Sequence, residues 1–191
     1  MSQSAIPNPQ SAIKEVFTIG HSTRPAEAFF ALLRSHSIVN LVDVRSFPGS
    51  RKYPQYNQEK LSSSLSTEGI SYHHLKSLGG FRKPRKSSSA NDGWKNEGFR
   101  GYADYMETAE FHAGLEELLR IASSGPTAIM CAEATPWRCH RQLIADALVG
   151  LKKLRVTHII GSGKTQEHHL TPFARVEGER LEYPGEEALF Q

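Results

Sequence analysis

Short apolar runs alternate with amphipathic stretches along the chain. Val16, Phe17 and Ile19 mark a strand over 15–20. Ala26, Phe29, Phe30 and Leu33 follow at helical spacing. Ser22 and Thr23 suit the N-cap of that helix, and Pro25 suits its first turn. Residues 38–44 are nearly all apolar up to Asp43, the pattern of a strand covered on both faces. Residues 57–68 read as a modest helix and 70–75 as a third strand. Phe111, Leu115, Leu118, Leu119 and Ala122 form a helical stripe that Gly125 and Pro126 end. Residues 127–130 make a fourth strand, Leu143, Ile144, Ala147, Leu148 and Leu151 a further helix, and 156–160 a fifth strand.

This alternation predicts a single three-layer α/β domain over 15–184, with a mostly parallel, Rossmann-like five-stranded sheet and helices on both faces. Residues 76–101, rich in Gly, Ser and basic side chains, are expected to form a long loop, either substrate-binding or disordered. Glu177-Gly178-Glu179 marks a C-terminal hairpin. Residues 1–14, polar with Pro7 and Pro9, are expected to be a disordered tail, and 185–191 a second tail.

Composition narrows the class. With 191 residues, 38% hydrophobic and 23% charged, the chain can bury a core and is not disordered throughout. No run approaches the roughly 18 to 20 apolar residues of a membrane span, and the start has no secretory core. Two cysteines, Cys131 and Cys139, are too few for a disulfide framework, so a cytoplasmic location with reduced thiols is expected. The net charge of +3 is unevenly spread. Residues 81–100 carry six Lys or Arg against two acids, and 45–60 carry four against one. Two positive loops suit an anion, although solvated loop charge fits the composition equally well.

In an open parallel sheet, ligands bind beyond the carboxyl ends of the strands. The first predicted strand ends in Gly20-His21-Ser22-Thr23, the second in Asp43-Val44-Arg45, and the fourth in Cys131-Ala132-Glu133, running on to Cys139-His140-Arg141. Gly20 and Ser22 would sit at a helix N-terminus that attracts anions, or serve only as a turn and cap. Asp43 and Arg45, two apart, would point the same way, either clamping an anion or pairing internally. Cys131, directly after a buried strand and ahead of a helix, sits where a thiolate is favoured. His140 is its acid–base partner, and Cys139 supports it. The competing readings are a zinc site of Cys131, Cys139 and His140, or two buried structural thiols.

The ordered set Thr18-Ile19-Gly20-His21-Ser22, Leu41-Val42-Asp43-Val44-Arg45, Pro48 with Ser50-Arg51 and Pro54, Leu78-Gly79-Gly80 with Arg82, Phe99 with Gly101-Tyr102-Ala103 and Tyr105-Met106, and Cys131-Ala132-Glu133 through Cys139-His140-Arg141 resembles the bacterial and archaeal family called domain of unknown function 488. The resemblance runs from about residue 16 to 160, with 83–98 as a variable insert. It implies a compact α/β domain and no settled reaction.

The residues together suggest an enzyme, a hydrolase or transferase, acting on a phosphate-bearing substrate such as a nucleotide or nucleic acid. Cys131 or Glu133 would be nucleophile or base, His21 and His140 the acid–base groups, and Asp43 their orienting partner. Gly20, Ser22, Arg45, Arg51, Arg82, Tyr102 and Arg141 would hold the substrate. A non-catalytic nucleic-acid-binding module using Tyr53, Tyr56, Trp94, Phe99 and Tyr102 is the second reading. A small metal-binding regulator is the third. No cofactor is required by the residues, and zinc would enter only through the Cys131, Cys139 and His140 set.

Overall fold

The computed structural model describes residues 13–85 and 89–185. Most of both expected tails therefore lies outside the described residues, although Ile13 is already buried in the core. A six-stranded sheet forms the centre: β1 (Glu15–Gly20), β2 (Asn40–Asp43), β3 (Ser71–His74), β4 (Thr127–Cys131), β5 (Arg155–Gly161) and β6 (Lys164–Glu167). The order across the sheet is β3-β2-β4-β1-β5-β6, parallel except for β6.

The sixth strand corrects the expectation of five. Its residues, Lys164-Thr165-Gln166-Glu167, are all exposed and show no apolar alternation. Charged, unpatterned edge strands of this kind resist further pairing. The readable signal is Ser162-Gly163, a turn with Gly163 at φ +62.

Among the described residues, five α-helices cover the sheet: α1 (Ala26–Ser35), α2 (Gln58–Thr67), α3 (Glu97–Met106), α4 (Ala109–Ala122) and α5 (Arg141–Gly150). Strand side chains alternate faces with period two. Ile19, Leu41, Ala128, Met130 and Ile159 pack with Phe29 and Leu33 of α1 and Leu61 and Leu65 of α2. Val16, Val42, Ile129 and Val156 pack on the other face with Tyr102, Leu115 and Leu148 of α3, α4 and α5. Neither Ser22 nor Thr23 caps α1; Pro25 holds that position without a side-chain bond.

The expected loop over 76–101 is shorter than predicted. Lys76–Leu78 form a 3₁₀ turn, and α3 starts at Glu97 behind Asn96, whose Oδ1 accepts the Phe99 N–H at 3.1 Å. Buried Asp104 tethers the segment between them, accepting from Arg85 N at 2.9 Å, from Asn91 Nδ2 at 3.0 Å and from the Ser89 hydroxyl. The expected hairpin forms as β7 (Arg175–Glu177) and β8 (Arg180–Glu182) around Gly178. It packs Val176 and Leu181 on α5 and delivers Tyr183 into the core. Among the described residues, no helix is long and apolar enough to cross a membrane.

Candidate functional site

After β1 the chain moves to one side of the sheet and after β4 to the other, so the switch point lies between these neighbouring strands. Their ends are in register, Gly20 beside Cys131. The ladder continues past them: His21 N donates to Cys131 O at 3.0 Å and Ser22 N to Ala132 O at 2.9 Å, with Ser22 left-handed at φ +50. A Cβ on Gly20 would stand 1.7 Å from the Glu133 carbonyl oxygen. Gly20 is thus filled over by the Cys131 loop, and its missing side chain is what lets that loop close down.

The pleat then sorts the expected residues onto two faces. On the α5 face, Cys131 and Cys139 meet, Sγ to Sγ 2.7 Å, both buried. Arg141, 1% exposed, donates from Nε to Cys131 Sγ at 2.9 Å and from NH2 to Glu133 O at 2.6 Å. Glu133 N–H also faces Cys131 Sγ at 3.3 Å. His140 Nε2 donates to Val44 O at 3.0 Å, and Nδ1 lies 3.5 Å from Cys139 Sγ. Gly80 makes room for that ring, since a Cβ there would be 2.9 Å from His140 Nδ1.

A buried guanidinium needs a counter-charge. None of the hydrogen-bond partners of Arg141 among the described residues is a carboxylate; they are Cys131, Thr18 and Glu133 O. The sulfur pair is the group placed to supply that charge. Burial, and then the bond to Cys139, push the Cys131 thiol up. Burial also opposes ionisation of Cys139, but bonds from Cys131 and His140 and the charges of His140 and Arg141 outweigh it, and this thiol falls well below its ordinary range. Arg141 faces Cys131, which in turn meets Cys139, and of the two thiols it is Cys139 whose surroundings favour ionisation.

Arg141 is anchored from behind by a buried chain. NH1 lies 3.3 Å from Thr18 Oγ1, Thr18 Oγ1 2.8 Å from His158 Nδ1, His158 Nε2 3.0 Å from His168 Nδ1, and His168 Nε2 2.8 Å from Asp146 Oδ1. Asp146 also accepts from Thr171 N, the Thr171 hydroxyl and Tyr183 OH. The carboxylate end forces each neutral imidazole to carry its hydrogen on Nε2. Burial, assisted by the charge of Arg141, lowers His158 to about 3.

On the opposite face, Asp43 and Arg45 do point the same way. Asp43 accepts from Arg45 N, Nε and NH2 and from Tyr72 OH, the last at 2.7 Å. The internal pair, rather than an anion clamp, is what forms. His21 stacks on Tyr56 at 4.1 Å, donates from Nδ1 to Ser22 O at 2.9 Å, and has Nε2 3.5 Å from Arg45 NH1. Burial pulls it down to about 4, with the bond to Ser22 opposing and the charge of Arg45 assisting.

A cavity of about 380 Å³ opens on the thiols, lined by Cys131, Cys139, His140, Glu133, Arg45, Arg138, Tyr102 and the rim aromatics Phe47, Phe81 and Phe99. His21, Asp43, Gly20, Ser22 and Arg141 stand behind or beside it. Arg51 and Arg82 lie outside it; Arg82 stacks on Tyr105 at 3.6 Å and stands 4.0 Å from Glu110. Glu133 contributes its backbone to the sulfur centre and exposes its side chain at the wall. Several aromatics expected at the surface are not there: Tyr56 and Tyr102 are buried, and Trp94 stacks on Phe99 at 4.8 Å. The rim phenyls are Phe47 and Phe81 instead, 71% and 90% exposed.

Among the described residues, no group of three or more His, Cys, Asp or Glu is arranged to hold a metal. The sulfurs at 2.7 Å are also closer than the spacing of about 3.8 Å that bonds of about 2.3 Å give two thiolates on tetrahedral zinc.

Residues 25–148 match the family described as domain of unknown function DUF488. The chain belongs to that family. No curated protein and no solved structure matches it. As a member of this family, the chain carries most of the residues around its thiols inside the matched segment, while His158, His168 and Tyr183 fall beyond it. Sequence reasoning missed the Thr18–His158–His168–Asp146 chain. Strand parity was the available signal: Thr18 and His158 are cross-strand partners on the Cys131 face.

Proposed function

We propose that this chain is an enzyme, a thiol-dependent hydrolase or transferase, acting on a small phosphate-bearing molecule of about nucleotide size. The observation that carries the reading is the buried guanidinium of Arg141 aimed at Cys131 Sγ, which favours a thiolate on the floor of an open cavity. His140 Nδ1, beside Cys139, is the group able to take or return a proton. Arg138, whose guanidinium makes no hydrogen bond or ion pair among the described residues, would meet the anion at the rim, and Phe47 and Phe81 would cover a flat apolar portion. The volume of about 380 Å³ suits a single small molecule rather than a polymer. With Arg45 neutralised by Asp43 and Arg82 held over Tyr105, the two basic loops support this pocket-sized site better than a broad nucleic-acid face.

The test is a panel of nucleoside monophosphates and aryl phosphate esters, read by phosphate release and by intact mass after acid quench. Turnover or a thiol-bound adduct should appear with the wild-type chain and vanish in the Cys131→Ser, Cys139→Ser double variant. Turnover that survives in that variant would overturn the assignment.

A further inference from the structure

A hydrolase or transferase needs one thiolate, yet two sulfurs share the cavity floor. Their separation of 2.7 Å leaves no room for an intervening group, and a bond of about 2.0 Å requires a shift of only about 0.7 Å. Their surroundings are unequal. Cys131 Sγ is enclosed by Arg141 Nε, Glu133 N and Cys139 Sγ, whereas Cys139 has only Cys131 and His140 and follows the rim residue Arg138. Both sulfurs line the cavity, and Cys139 is the less enclosed by donors.

We propose that Cys131 and Cys139 are a reversible dithiol–disulfide couple, exchanged with a low-molecular-weight disulfide that carries carboxylates. The Cys139 thiolate attacks one sulfur of the incoming disulfide, forming a mixed disulfide and expelling one thiolate of the substrate. Cys131 then attacks Cys139 Sγ; its proton passes to the second departing thiolate, and the Cys131–Cys139 bond closes. The thiolate–thiol pair loses two electrons and one proton, and the disulfide becomes one thiolate and one thiol. Arg138 meets a carboxylate of the substrate, and Arg141 keeps negative charge on the pair until the bond forms. In the oxidised state no thiolate remains for group transfer, so the couple also switches that activity off. The inference rests on the reading of the pair as reactive thiols and is independent of the phosphate-bearing substrate.

The test uses the reduced full-length chain freed of reductant. Maleimide labelling at mildly acidic pH first reads thiol reactivity alone. The chain is then equilibrated across ratios of reduced to oxidised glutathione, quenched in acid and labelled. A form with two maleimides should convert to one with none, lighter by two hydrogens, and dithiothreitol should reverse it. Cys131→Ser should trap glutathione on Cys139, and Cys139→Ser should react about tenfold more slowly or worse. Fast labelling, with a wild-type chain that stays a dithiol or stops at a glutathione adduct in excess oxidised glutathione, would overturn the couple and leave the thiolate reading standing. Failure of both labelling and oxidation would overturn both. The wild-type titration decides the matter even where a serine variant does not fold.

Discussion

Arg141 Nε lies 2.9 Å from Cys131 Sγ, and both residues are buried. The pair links helix and strand through a charge that no described carboxylate touches directly. Replacing Arg141 with Met removes the cation, and the thiol pair can answer by staying protonated. Its stability cost near neutral pH should therefore be modest, unlike the loss of one partner from a fixed ion pair. The apparent pKa of the reactive thiol should rise by at least about one unit, equivalent to about 1.4 kcal/mol. The pH dependence of the alkylation rate measures it.

Acid should destabilise the fold through two histidines. His21 and His158 are held neutral, at about 4 and about 3, against an ordinary value of 6.5. Between those values and about 6.5 the unfolded chain binds more protons, so stability rises with pH. Each site contributes a slope of up to about 1.4 kcal/mol per pH unit there. Their full contribution is present above about pH 6.5 and is lost as pH falls through the folded values. Urea titrations at several pH values should show the loss, and His21→Gln should flatten it.

Close backbone approach restricts two glycines. Gly20→Ala drives a Cβ into the Glu133 carbonyl, which is backbone and has nowhere to go. The cost should be at least about 3 kcal/mol by chemical denaturation, at the upper end of overpacking penalties. Gly80→Ala meets only the His140 ring at 2.9 Å, so it should cost less and shift the pH profile of thiol reactivity instead.

The parallel sheet was legible because β1, β2 and β4 are short apolar runs with helical stripes between them. α3 was hidden by the basic loop ahead of it, although Asn96 and the spacing of Phe99, Tyr102, Ala103 and Met106 carried the signal. Cys131, His140 and Arg141 could be placed at one edge from strand ends alone. Which of His21, Asp43 and Cys131 share a face follows from the period of two. Register with the neighbouring strand, Gly20 beside Cys131, is tertiary information. Which of the two cysteines is the easier to ionise depends on Arg141 and His140 in three dimensions, and no spacing encodes it.

The Asp146 chain should be visible by NMR. Nitrogen-15 histidine spectra at neutral pH should show His158 with its hydrogen on Nε2. Asp146→Asn removes the carboxylate that orients His168 and should destabilise the fold by about 1.5–3 kcal/mol, the range for hydrogen bonds to charged groups. The reactive thiol should keep its low pKa in that variant to within about one unit, because Arg141 itself remains.

The most direct measurement is the pH–rate profile of alkylation of the reduced wild-type chain, with the labelled cysteine identified by peptide mass. One thiol, Cys139, should react first and titrate below the ordinary value of about 8.5, with Cys131 labelled only at much higher pH. Two cysteines that both titrate at or above about 8.5, or that both resist labelling in the native chain, would contradict the account.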